Sequence, residues 1–241
     1  MKRFILLMLT VVCGLAVTAQ AMDADELIAK NIEAMGGLEN LQAIETMKTT
    51  GKMIVPGMEF PFDTYHMRPS SLRIESDIQG MSFVQAFDGE GGWQINPMAG
   101  AMKPQRMTER ELKGFRIQAD MDGVLVDHEA KGYTVEYLGT TEIEGAEVHQ
   151  LKLDTGDDIV MDMFFDAEYF IVIKVTTRST EEGAEFEQDT FLSDYKDVGG
   201  VLMAHSMENK MNGQVVNSIM IEAVEVNPEL DSSIFAFPEE E

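Results

Sequence analysis

Val201-Leu202-Met203-Ala204-His205-Ser206-Met207-Glu208-Asn209-Lys210-Met211 runs directly into Asn212-Gly213, and Gln214 to Val226 follows. Val201, Met203, His205, Met207 and Met211 occupy alternate positions, so in an extended strand they share one face. Asn-Gly supplies the two positive-φ residues that a tight hairpin turn requires. The stretch therefore predicts two long antiparallel strands joined by a two-residue loop, with methionine concentrated on one face.

The same period of two recurs along most of the chain. Met47–Val55, Met58–Met67, Leu72–Ile78 and Met81–Phe87 read as a first run of strands. Tyr133–Leu138, Val148–Leu153, Ile159–Phe165 and Tyr169–Thr177 follow, then Phe186–Tyr195 ahead of the hairpin. Asp88-Gly89, Asp166-Ala167 and Gly199-Gly200 provide turns. Two helices carry start signals. Asp23 and Glu26 precede Leu27, Ile28, Ile32 and Met35 at helical spacing, and Gly36-Gly37 ends that helix. A short helix over Leu38–Ile44 follows. Thr108 and Glu111 open a second capped helix bearing Leu112 and Phe115 towards Ala119. Residues 121–126 read as a loop. About ten or eleven antiparallel strands are too many to stay flat, so the sheet should curl into a barrel or half-barrel with helices over its open side. The fold class is α+β, mostly β, in one domain.

Residues 1–21 read as a secretory signal: Lys2 and Arg3, an apolar stretch Phe4–Val17, and Ala19-Gln20-Ala21. The one cysteine, Cys13, lies inside it after Val11-Val12, which is not a lipoprotein cleavage context. The expectation is a soluble, unanchored chain over 22–241, exported to the periplasm of a Gram-negative cell and stabilised by a core rather than disulfides. The formal charge of −25 opposes nucleic acid, polyanions and anionic lipid surfaces as partners.

Catalytic and metal signatures are missing. There is no mature cysteine and no Gly-x-Ser-x-Gly elbow, and the histidines at 66, 128, 149 and 205 are not at metal-ligand spacing. His205 reads as a satisfied buried histidine. Asp154-Thr155-Gly156 has no second copy and sits in an expected hairpin turn. No enzyme, cofactor or metal is expected.

Nineteen methionines stand out, seventeen of them after Met1 and Met8 are set aside with the signal. Methionine is unbranched and polarizable and repacks around whatever enters its surroundings. Met47 and Met53 share a strand face, as do Met58, Phe60 and Phe62, and as do Ile159, Met161, Met163 and Phe165. Such faces line either a concave apolar site or a filled core.

Met67-Arg68-Pro69-Ser70-Ser71-Leu72-Arg73-Ile74 and Phe87-Asp88-Gly89-Glu90-Gly91-Gly92-Trp93-Gln94-Ile95-Asn96-Pro97 resemble segments of the LolA-like outer-membrane lipoprotein-sorting proteins. There an Arg-Pro ends one strand, an Asp-Gly turn follows the next, and Trp with Asn-Pro begins a loop. Phe235-Ala236-Phe237-Pro238 looks like the closing strand of that group. Ala34-Met35-Gly36-Gly37 with Thr50-Gly51-Lys52 resembles its sorting-protein branch more than LolA itself. The resemblance implies an unclosed half-barrel with helices as a lid over a cavity for acyl chains. Arg68 matches an arginine that bonds the lid and favours its closed state. Trp93 matches a tryptophan that either anchors the sheet or touches ligand, while Pro69 and Pro97 shape strand ends. The cavity residues so implied are Met53, Phe60, Phe62, Trp93, Met161, Met163, Phe165, Met203, Met207 and Met211. The implied function is a monomeric periplasmic carrier of lipoproteins or related lipids, partnered by an inner-membrane transporter and an outer-membrane acceptor. The alternative is a non-shuttling module that holds a lipid or hydrophobic peptide to report the state of the envelope.

Overall fold

The computed structural model describes residues 22–181 and 184–238. The expectations of a signal over 1–21 and a solvated acidic tail over 239–241 fall outside the described residues.

The chain opens with α1 (Ala24–Ala34), whose Asp23 cap accepts a 2.9 Å bond from the Glu26 amide. A five-residue helix α2 (Leu38–Gln42) follows, two residues shorter at its end than the pattern predicts. Between them Gly36 has φ +111°, and a β-carbon there would lie 2.0 Å from the Gly200 carbonyl oxygen. Glycine is required twice over, by backbone and by contact. It lets the helix pair seat on the Gly199-Gly200 turn, where the Leu202 amide donates to the Met35 carbonyl at 2.9 Å.

Strands β1 (Thr46–Val55), β2 (Met58–Met67), β3 (Ser71–Ile78), β4 (Met81–Phe87), β5 (Gly92–Asn96) and β6 (Ala101–Arg106) then form one meander. The chain leaves its edge as α3 (Glu109–Ala119), opened by the complete Thr108–Glu111 capping box, and continues through a turn-rich segment. It enters a second meander of β7 (Thr134–Ile143), β8 (Ala146–Asp154), β9 (Ile159–Asp166), β10 (Val172–Glu181), β11 (Ala184–Val198), β12 (Val201–Met211) and β13 (Gln214–Val226). Because β13 pairs with β1, both meanders join in one thirteen-stranded antiparallel sheet ordered β6-β5-β4-β3-β2-β1-β13-β12-β11-β10-β9-β8-β7. The edges β6 and β7 are not paired with each other, so the half-barrel is unclosed. Register shifts in five of the strand pairings bend the strands and help the sheet curl.

Four strands, β2, β4, β12 and β13, have the predicted bounds. The two beyond the predicted eleven are β5 and β6. The Trp93–Pro97 segment does reach a loop, a short 3-10 turn over Pro97–Ala99, but strands stand on both sides of it. Neither strand announces itself: β5 is five residues long, and β6 carries Pro104, which an edge strand tolerates because one row of its backbone groups is unpaired. Phe235–Pro238 is not the expected closing strand. After the 3-10 turn Ser232–Ile234 it runs as turn and coil, and Phe235 is buried against the sheet.

Directly opposed residues in an antiparallel ladder lie on one face, so the register sorts every strand residue. One face packs beneath helices. Under α1, Leu27 and Ile28 meet Leu151, Leu153, Met163 and Phe165 with Leu125 of the crossing segment. Under α3, Leu112, Phe115 and Ala119 meet Leu72 and Phe87. The opposite, outer face holds a third cluster of Val84, Ala86 and Trp93, with Phe237 packed on it.

Candidate ligand-binding face

The pairing places nine of the ten expected cavity residues on the helix-covered face. Met53 opposes Phe60 and Ile219, and Ile219 opposes Met207; Gly51 opposes Phe62. Met161 and Met163 oppose Thr177 and Val175, and Phe165 opposes Val172. Met203 and Met211 share the alternate set of Met207 on β12.

They do not form one environment. Phe165 (0% exposed) and Met163 (7%) belong to the core cluster beneath α1, Met163 at the edge where a cavity opens, with Met161 at the margin of that cluster. Met53, Phe60, Phe62, Met203, Met207 and Met211 are half-buried and belong to neither helix cluster. They floor the stretch of the inner face between α1 and α3. Phe62 lies flat there because its neighbour is glycine: a β-carbon on Gly51 would stand 2.7 Å from the Phe62 ring.

Trp93 is the exception. It opposes Ala86, and Ala86 opposes Arg73, which puts it on the outer face. Its indole N–H donates to the Phe235 carbonyl at 3.0 Å, Phe237 meets it edge-on, and the Arg73 guanidinium lies 5.3 Å from its ring centre. Of the two roles open for Trp93, the structure supports an anchor, here for the C-terminal segment. Arg73 adds a 2.7 Å bond to the Ile234 carbonyl.

Where the two covering segments meet, a cavity of about 320 Å³ opens between α1, α2, the crossing segment and the sheet. Ile32, Met35, Leu41, Val124, Met163 and Val201 line it. Arg68 bonds two of the residues around it, Leu41 and Asp122. Its Nε donates to the Ile44 carbonyl at 2.8 Å and its Nη2 to the Leu41 carbonyl at 2.9 Å, at the end of α2. Its Nη1 pairs with Asp122 Oδ1 of the crossing segment at 2.8 Å. One guanidinium therefore ties both covers together, using the fixed fork that lysine lacks. Asp122 itself lines the cavity and was not legible as the partner, since nothing local distinguishes it from its acidic neighbours. Lys131 steadies the same segment through Asp120 at 2.5 Å and the Gly123 carbonyl at 2.7 Å.

The histidines are dispersed. His205 is buried with Nδ1 2.9 Å from the Met203 carbonyl oxygen, the satisfied arrangement expected of it. His149 stacks on Phe170 and bonds the Tyr137 hydroxyl, and burial lowers its pKa. His66 has Nε2 3.3 Å from the Gln118 carbonyl at the end of α3, while its buried Nδ1 has no protein partner. Burial pushes its pKa down, and the Gln118 contact opposes this only in part. Tyr195 bonds the Val172 carbonyl, and burial raises its phenol pKa to about 12. Asp154-Thr155-Gly156 forms the β8–β9 turn, with Asp154 accepting from the Gly156 amide at 2.8 Å. Among the described residues no group of three or more His, Cys, Asp or Glu could hold a metal, and no helix is long and apolar enough to cross a membrane.

No family model matches the sequence, and no curated protein does. Solved structures do match in fold. A DUF1329 family protein from Desulfovibrio piger superposes with a TM-score of 0.62 at 10% identity, over 88% of this chain and 96% of its own. A LolA superfamily protein from Nitrosomonas europaea gives 0.60 at 12% identity, over 90% and 98%. A domain assigned to outer-membrane lipoprotein sorting, from Vibrio parahaemolyticus, gives 0.56 at 14% identity, over 86% and 97%. The chain has a LolA-like fold: an open antiparallel half-barrel with covering helices.

Proposed function

We propose that this chain is a carrier in the bacterial envelope that holds the acyl chains of lipoproteins or related lipids against its inner sheet face, for transfer towards the outer membrane. One observation carries the reading. A methionine-rich stretch of sheet is left half-buried between two helix clusters, and it adjoins an apolar cavity whose two covers are tied by a single arginine. Each methylene moved from water into such a site contributes about 0.8 kcal/mol, so one long chain has a gross gain on the order of 10 kcal/mol. A carrier must also let go. Half-buried methionines adapt to cargo without rigid complementarity, and a cover with two positions supplies a second state of different affinity.

The fold likeness to the Nitrosomonas and Vibrio proteins agrees with this reading. The strong negative charge keeps such a carrier off anionic membrane surfaces while it is loaded. Native mass spectrometry of the protein recovered from the periplasm tests the proposal. Co-purified lipoprotein supports a carrier; free lipid alone favours the non-shuttling module; an empty protein that takes up no acyl probe overturns both.

A further inference from the structure

The inner face is not apolar throughout. In the row next to Met207, three opposed strands present Asn217, Asn209 and Thr190, with Gln188 two residues along β11. Asn209 is 8% exposed. Its Oδ1 accepts from Thr190 Oγ1 at 2.6 Å and from Gln188 Nε2 at 3.2 Å, and its Nδ2 donates to Asn217 Oδ1 at 2.7 Å. Below this row lie Met53, Ile219, Met207 and Leu192, and beside it Val175 and Met163.

Sheet stability does not account for such a cluster. Apolar residues would pack with the neighbouring methionines at no desolvation cost, whereas a polar network on an apolar face is stable only where it is satisfied. The bonds within the cluster engage Asn209 on both sides but leave Asn217 Nδ2 as a donor and Gln188 Oε1 as an acceptor. On β10, β11, β12 and β13 no ionisable residue shares the face in the Met207 and Asn209 rows; Lys174, Asp189, Glu208 and Lys210 all fall on the outer face. A carboxylate or phosphate entering here would lose water and gain no counter-charge.

We propose that the Asn209 cluster recognises a neutral carbonyl-containing group, an ester or amide, that joins the ligand's acyl chain to its head. The ligand class is then an acyl ester or acyl amide, not a free fatty acid or a hydrocarbon. This rests on the reading that acyl chains lie on the inner face. Asn217 donates to the carbonyl oxygen, Gln188 accepts from a hydroxyl or amide N–H beside it, and the chain runs over Met207 and Ile219.

The test uses the whole protein and 1,6-diphenylhexatriene, an apolar dye that brightens in an apolar site. Displacement by 1-monodecanoylglycerol and by decanoate is compared below their micellar concentrations. Wild type should release dye at about tenfold lower monodecanoylglycerol than decanoate, the worth of roughly one well-placed hydrogen bond. In Asn217→Ala and in Asn209→Leu that ratio should fall to about twofold or less while dye affinity holds. Asn217 is half-buried at the cluster's edge, so its variant keeps the fold even if Asn209→Leu does not. Equal displacement in wild type, or a ratio unchanged in Asn217→Ala, overturns the proposal and leaves the carrier reading standing. Dye that never binds wild type overturns the carrier reading itself, and this inference with it.

Discussion

At the residue scale, burial separates enclosed from half-buried side chains that the sequence presents alike. Phe165 is fully enclosed beneath α1, so Phe165→Ala leaves a cavity and should cost about 3–5 kcal/mol in denaturant unfolding. Met207 is half-buried between the helix clusters, so Met207→Ala should cost under about 1.5 kcal/mol yet weaken acyl-probe binding several-fold. A large stability loss at Met207 would mean that its face is filled core. Arg68 concentrates more consequence than any methionine. Arg68→Leu releases α2 and the crossing segment together, so the open state should gain, acyl ligand should dwell longer, and release to an acceptor should slow. Stopped-flow release kinetics check this; unchanged rates would remove Arg68 from the gating role. Alternation identified Met207 and Phe165 as members of one kind of face, but burial depends on which helix lands above them.

At the scale of elements, the C-terminal segment and α3 are the informative cases. The segment after β13 lies across the outer face, pinned by Trp93 and Arg73. Trp93 is the sole tryptophan, so its emission reports this contact. Phe235→Ala should loosen the segment and red-shift Trp93 emission, whereas acyl ligand on the inner face should leave that emission unmoved. A ligand-dependent shift without segment release would contradict the placement of Trp93. At the other face, His66 of β2 bonds the last turn of α3 while buried and neutral. Its folded pKa lies below the ordinary histidine value, so the unfolded chain binds more protons as pH falls through that value. The stability His66 contributes is therefore full above about pH 6.5 and is lost as pH falls below it. Thermal melting from pH 7.5 to 5 should show this loss, and His66→Phe should flatten the profile by His66's share, leaving that of His149, which is shifted the same way. An unchanged slope would assign the acid sensitivity elsewhere.

At the scale of the whole molecule, two meanders share one sheet because β13 returns to pair with β1, and the crossing segment must then pass over the open side to reach the far edge. That path puts a cover on the half-barrel as a consequence of connectivity. Alternating apolar residues, Asn212-Gly213 and the helix caps act locally, so the antiparallel strands, both capped helices and the methionine faces were determined by sequence alone. Short β5 and the Pro104-bearing edge strand β6 lack a local signal because their pairing comes from neighbours distant in the chain. The same holds for function. Sequence concentrated the methionines on one face, but only tertiary structure decided that Phe165 is core, that Met207 stays half-buried between the helix clusters, and that Trp93 faces the other way. Long-range register and helix placement set those outcomes, and neither is encoded within any one strand.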